Sequence, residues 1–143
     1  MQLHYIANAG VASTSGRTIA VIDPSDGQPY DEIQRGTAED IDAAVRAAQQ
    51  CYDTVWRKLA PAERGRLLQR LSAKITEHAE ELAAIEQRDC GKPTRQARAD
   101  AAALARYFEF YAGACDKLHG ETIPYQDGFS VLTWREPHGV TGH

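Results

Sequence analysis

The chain has 143 residues, 43% of them hydrophobic and 25% charged, with a formal net charge of −4. That composition suits one globular domain with a real core and excludes a disordered chain. Both signs of charge are mixed along the sequence, which excludes a basic nucleic-acid-binding stripe, and the longest apolar runs are too short to cross a bilayer.

The N-terminal residues Met1 to Tyr5 lack the basic and apolar regions of a secretory signal, so the expected location is the cytoplasm. Leu3 to Ala7 reads as a short strand, followed by turn chemistry at Asn8-Ala9-Gly10. Arg17 to Ile22 is β-branched and apolar, as a buried strand requires. Asp23-Pro24-Ser25-Asp26-Gly27 is a turn, since Pro presets φ early and Gly27 accepts a positive φ at the end. Tyr30 to Gln34 then returns, which makes Ile19 to Gln34 a predicted hairpin.

Thr37 stands three residues before Asp40, a capping-box variant. Ile41, Ala44, Val45, Ala48, Tyr52 and Val55 follow at helical spacing as one apolar stripe. Pro61 opens a second helix, with Glu63 in its first turn. Its predicted buried face is Leu68, Leu71, Ile75, Leu82 and Ile85, with His78 on the same side as a satisfied core or boundary histidine. A break is expected near His78, because Thr76 and His78 are weak helix formers. Gly91 and Pro93 mark the stop. Asp100 is the expected cap of a third helix, whose apolar face would be Leu104, Tyr107, Phe108, Tyr111, Cys115 and Leu118, ended by Gly120. Pro124, Asp127 and Gly128 are loop residues, and Phe129 to Arg135 reads as a strand.

Nucleotide-binding glycine patterns, a phosphate loop, H-E-x-x-H and a G-x-S-x-G nucleophile turn are all absent from the sequence. The histidines at 4, 78, 119, 138 and 143 are scattered. Cys51, Cys90 and Cys115 form no C-x-x-C pair and read as reduced thiols. Cys51 and Cys115 fall within helical apolar patterns and are expected to be buried, whereas Cys90 lies outside them with only Lys92 nearby to favour a thiolate. Asp89 falls near the negative end of a long helix, where a carboxylate needs an offset. Two offsets are open: an Asx turn onto the backbone N–H groups around Gly91, or a cation shared with backbone carbonyls of a neighbouring strand.

The ordered motifs resemble the N-terminal part of the aldehyde dehydrogenase superfamily. The residues that carry this are Asp23-Pro24 with Gly27, Thr37 to Val45, Trp56, and Pro61-Ala62-Glu63-Arg64. They continue with Glu80-Glu81-Leu82-Ala83, Asp89-Cys90-Gly91-Lys92-Pro93, Tyr111-Ala112-Gly113, Asp116 to Pro124, and Arg135-Glu136-Pro137-His138-Gly139-Val140. The resemblance spans essentially the whole chain. It implies a partial α/β fold: strands and a hairpin over 1–36, three to four amphipathic helices over 37–119, and a loop with an oligomerisation-type strand over 120–143. The implied activity is oxidation of a small-molecule aldehyde to a carboxylic acid with NAD or NADP, in an oxidoreductase that forms homo-oligomers when complete. The oxyanion Asn, nucleophilic Cys, general-base Glu and cofactor-binding Lys of such enzymes are expected beyond Gly139-Val140. No residue here is therefore assigned to catalysis or to cofactor binding, and none of the three cysteines matches the nucleophile. The resemblance also implies a K+ or Na+ site at Val21, Ile22 and Asp89. Cys90 stands where the family usually has Thr, and Asp23 where it usually has Asn. The alternatives to a segment of a working enzyme are a non-catalytic remnant or assembly module that associates with full-length relatives, and an unrelated helical adaptor.

Overall fold

The computed structural model describes residues 1–142; the histidine at 143 lies outside the described residues. Two antiparallel ribbons open the chain. The first pairs β1 (His4–Ile6) with β2 (Ala9–Val11) through Ala7 and Asn8, whose φ angles of 51° and 65° form the tight turn. The turn therefore sits one to two residues earlier than Asn8-Ala9-Gly10. A two-residue connection between twisted strands needs positive φ at both positions, which Asn tolerates well and Ala less so.

The second ribbon is the predicted hairpin, β3 (Thr18–Ile22) and β4 (Pro29–Gln34), with a register shift between Val21 and Ile22. Gln2 runs along its edge: its N–H donates to Glu32 O at 2.7 Å, and its carbonyl accepts from Gln34 N at 3.1 Å.

Helix α1 (Ala38–Thr54) begins at the capping box: Asp40 N donates to Thr37 Oγ1, and Thr37 N donates to the Asp40 carboxylate at 2.9 Å. A 3₁₀ turn over Trp56–Lys58 leads to α2 (Pro61–Glu77). Proline at its first position and the Ala60 N–H bond to Glu63 Oε2 at 3.0 Å fix that start. The break falls at His78, which separates α2 from α3 (Ala79–Cys90). Gly91 closes α3 in the left-handed region at φ 68°, the conformation glycine adopts without a Cβ penalty.

Helix α4 starts at Thr94, six residues before the expected cap, and runs to Ala114. Pro93 supplies the stop for one helix and the entry to the next. Asp100 is instead on the helix surface, where its carboxylate accepts from Lys92 Nζ at 2.7 Å.

The core is an α2–α3–α4 helical layer, and its seam differs from the predicted one. Ala97, Ala101 and Ala105 are the buried residues of α4, Gly65, Ser72 and Ile75 those of α2, and Ala83 that of α3, and the Ser72 hydroxyl donates to the Ala105 carbonyl at 2.8 Å. Large residues expected inside are exposed: Leu104, Tyr107 and Tyr111 on α4, and Leu71 and Ile85 on α2 and α3. The same holds for Ile41 and Val45 of α1 and for Val55 just past its end. The physical reason is close approach. A Cβ built on Gly65 would lie 2.6 Å from the Ala112 carbonyl oxygen, so no side chain fits at that point between α2 and α4. The tail forms a third ribbon of β5 (Thr122–Ile123) and β6 (Val131–Leu132); the strand predicted over Phe129 to Arg135 is paired only at Val131 and Leu132.

Candidate functional site

The turn of the β3–β4 hairpin packs against the C-terminal end of α3. Pro24 Cγ approaches to 3.1 Å of the position a Cβ on Gly91 would take, so a side chain at 91 would wedge the two apart. The Arg88 guanidinium lies 4.0 Å over the Tyr30 ring, and its Nε is 3.8 Å from the Asp23 carboxylate. The Ser25 hydroxyl, then the Ser25 N–H, donate to Asp23 and hold its carboxyl below the usual range. Burial, and then the charge of Asp89, raise the Tyr30 phenol. A cleft of about 490 Å³ opens here beside Arg88 and Lys92.

Lys92 is clamped between Asp100 at 2.7 Å and Glu86 at 2.5 Å, and these two carboxylates, Asp100 first, raise its ammonium above the usual lysine range. It is thus committed to tying α3 to α4.

Asp89 lies in the last turn of α3 rather than after it. The Asx turn does not form at Gly91, because the Gly91 N–H donates to the Gln87 carbonyl at 2.9 Å. Val21 and Ile22 fall at the hairpin's register shift, where a bulge leaves ladder groups without strand partners. Among the described residues no group of three or more His, Cys, Asp and Glu side chains could hold a metal ion.

The cysteines do not gather. Cys51 and Cys90 are exposed, Cys115 is half-buried, and none is bridged. Burial of Cys51 is thus not observed: it lines a shallow groove between α1 and the first ribbon, with Tyr5, Ile6 and Ala7 opposite, and stays exposed. Cys90 Sγ donates to the Glu86 carbonyl at 3.0 Å, as a helix-end thiol does. His78 is exposed, with Nδ1 2.9 Å from the Glu81 carboxylate, so its partner is a surface carboxylate rather than a core group.

A polar cluster that the residue pattern did not reveal lies beneath β1. Asp40 is 5% exposed. Its carboxylate accepts from Ser13 Oγ at 2.7 Å, Thr14 N at 3.1 Å and Thr37 N at 2.9 Å. The Ser13 hydroxyl, followed by the Thr37 N–H, holds the Asp40 carboxyl well below the ordinary carboxylate range. Gln34 Oε1 accepts from Ser13 N at 2.9 Å. His4 Nε2 lies 3.8 Å from Asp40, buried and without a hydrogen-bond partner among the described residues. The cluster joins the first loop, the hairpin and the start of α1. Its signal was the Ser13-Thr14-Ser15 run, whose hydroxyls needed an acceptor.

A cleft of about 680 Å³ lies between the 3₁₀ turn, the start of α2, the end of α4 and the tail. Trp56, Arg57, Arg64, Leu118, Trp134 and Arg135 are among its walls. Among the described residues no helix is long and apolar enough to cross a membrane.

Comparison with known proteins agrees along the length of the chain. Residues 11–143 match the aldehyde dehydrogenase family. The chain is 42% identical to aldehyde dehydrogenase family 2 member B4, mitochondrial, of Arabidopsis thaliana over 134 residues, which is 92% of this chain and 25% of that protein. A solved Burkholderia cenocepacia protein assigned to the aldehyde dehydrogenases superposes with a TM-score of 0.91 at 63% identity, over 96% of this chain and 29% of that one. PnpE of Pseudomonas sp. WBC-3, solved with nicotinamide adenine dinucleotide, superposes with a TM-score of 0.84 at 38% identity, over 90% of this chain and 26% of its own. The chain thus spans between a quarter and a third of the length of these relatives.

Proposed function

We propose, on the premise that this chain belongs to the aldehyde dehydrogenase family, that it serves as the N-terminal portion of an NAD(P)-dependent oxidoreductase converting an aldehyde to a carboxylic acid. The observation that carries this reading is the superposition of nearly the whole chain on the Burkholderia cenocepacia relative at 63% identity. NAD is the dinucleotide bound in PnpE, and a related yeast enzyme is named for NAD(P)+, so both dinucleotides belong to the reading. When bound, the dinucleotide supplies the hydride acceptor. The contribution of these 143 residues is a scaffold, and the catalytic Cys, Glu and Asn lie outside them. The Cys90 and Cys115 thiols donate to the helix carbonyls of Glu86 and Tyr111 at 3.0 and 3.2 Å. The three free cysteines support a reducing compartment, the cytoplasm in our reading, and we expect the complete enzyme to be a homo-oligomer.

The same reading places a monovalent cation, K+ or Na+, between the carbonyls of Val21 and Ile22 and the Asp89 carboxylate. The register shift at Val21/Ile22 supports it, as does the electrostatic need of a carboxylate at a helix C-terminus. Such an ion would fasten the hairpin turn to the end of α3.

Aldehyde-dependent NADH formation tests the assignment. The purified 143-residue chain is expected to give none, and turnover by it would overturn the placement of the chemistry elsewhere. The abundance of exposed apolar side chains on α1 and α4 also favours a second reading, a non-catalytic assembly module that associates with full-length relatives. Stable association with an intact relative, without any gain in turnover, would select it.

A further inference from the structure

His4 carries the first ribbon into the polar cluster beneath it. Its Nε2 atom is buried, has no hydrogen-bond partner among the described residues, and lies 3.8 Å from the Asp40 carboxylate. That gap is too long for a hydrogen bond. A neutral imidazole therefore leaves a polar atom buried and unpaired, which opposes docking of the ribbon. A protonated imidazole instead sets a positive charge against a carboxylate that is itself 5% exposed, where screening by water is weak. Histidine is the side chain whose charge changes between about pH 5 and 8.

The ribbon is anchored at its two ends, by the Gln2 backbone on β4 and by Ser13 in the cluster. The stretch between is open: β2 is exposed along its length, and Tyr5 of β1 turns its phenol to Asn8 within the same ribbon. Tyr5, Ile6 and Ala7 meet Ala44, Ala47, Ala48 and Cys51 of α1 across a shallow groove. We propose that His4 and Asp40 form a proton-operated clasp, which holds the β1–β2 ribbon to the start of α1 while the imidazole is charged and loosens it when the imidazole is neutral. The groups around the ring leave Asp40 as its counter-ion. On α1, Glu39 is engaged with Thr37. On the hairpin, the Met1 ammonium pairs with Asp31 at 2.7 Å. Ser13, Thr14 and Thr37 bring hydroxyl and amide donors to Asp40, and Gly36, beside the ring, brings no side chain.

The clasp needs a proton on His4 and none on Asp40. The Ser13 and Thr37 donors keep Asp40 ionised well below the ordinary carboxylate range, so the clasp is closed at about pH 5.5 and is lost as pH rises toward about 8. The test is amide hydrogen exchange of the 143-residue chain, read by NMR at those two pH values and corrected for the intrinsic effect of pH. Protection over residues 4–11 should fall on the order of tenfold at the higher pH, the scale of one charge-assisted contact. His4→Phe keeps an aromatic ring that cannot take a proton, and should abolish the fall. His78→Gln, at the exposed histidine between α2 and α3, should keep it. Nitrogen–proton correlations of the His4 ring should show both nitrogens protonated at the lower pH and one at the higher. These correlations need no substitution, so they decide even where His4→Phe does not fold. Equal protection at both pH values, a fall that persists in His4→Phe, or a ring that stays neutral at the lower pH would each overturn the clasp.

Discussion

Gly65→Ala tests whether close approach of α2 and α4 organises the fold. The added methyl would sit 2.6 Å from the Ala112 carbonyl oxygen. Ordinary contact needs roughly 3.4 Å or more, so the two backbones must part by several tenths of an ångström. That motion would loosen the Ala97–Ala101–Ala105 seam and lengthen the 2.8 Å bond from Ser72 Oγ to the Ala105 carbonyl. Overpacking of this kind costs about 1–3 kcal/mol, and a strained buried hydrogen bond adds about 1 kcal/mol. Against this, Ala in place of Gly within a helix gains about 1 kcal/mol. The net expectation is a loss of about 1–3 kcal/mol. Urea unfolding followed by circular dichroism would register it as a midpoint lower by roughly 1 M at an unchanged slope. Gly113→Ala is the matched control, because a Cβ there meets nothing within 4 Å. It should leave stability unchanged or raise it by a few tenths of a kcal/mol, the gain being small so near the helix end. A Gly65→Ala protein as stable as the wild type would show that the seam is not close-packed.

Asp40→Asn should lower the thermal midpoint by on the order of 5 °C or more, since the cap and the Ser13 network lose their charged acceptor. The pH profile checks the cause. The Asp40 carboxyl is depressed in the folded chain, so its contribution is present above the ordinary carboxylate range, about pH 4. It disappears as pH falls below that range toward the folded value. Stability of Asp40→Asn should therefore change less with pH below about 4 than that of the wild type, and parallel curves would refute the assignment. Thiol labelling in the folded state should show Cys51 and Cys90 reacting fast and Cys115 slowly, in line with their exposure; protection of Cys51 equal to that of Cys115 would restore the expectation that both are buried.

Features set by neighbours in sequence were legible without coordinates. The Thr37–Asp40 capping box, the Pro24–Gly27 turn, Pro61 at a helix start and Gly91 at a helix end each involve backbone groups within a few residues, so local chemistry decides them. The break at His78 belongs with them. What sequence did not reveal depends on distant partners. The Asp40 acceptor needed Ser13 and Thr14 from across the hairpin. The start of α4 was misplaced because Asp100 has the chemistry of a cap, and only the fold commits it to Lys92.

The inverted faces of α4 have the most to say about function. Periodicity finds an apolar stripe but ranks faces by the size of their side chains, so Tyr107, Phe108 and Tyr111 drew the core toward themselves. A helix buries a face of alanines where its partner helix comes close, and α2 comes closest to the α4 backbone at Gly65, against Ala112. The i, i+4 recurrence of Ala97, Ala101 and Ala105 was the available signal. Once that seam is filled within the chain, the aromatic face cannot also be its core, and Tyr107, Phe110 and Tyr111 stand exposed. Two faces on one helix, one slim and buried, the other aromatic and open, let a segment hold its own shape while leaving an apolar surface free for contact.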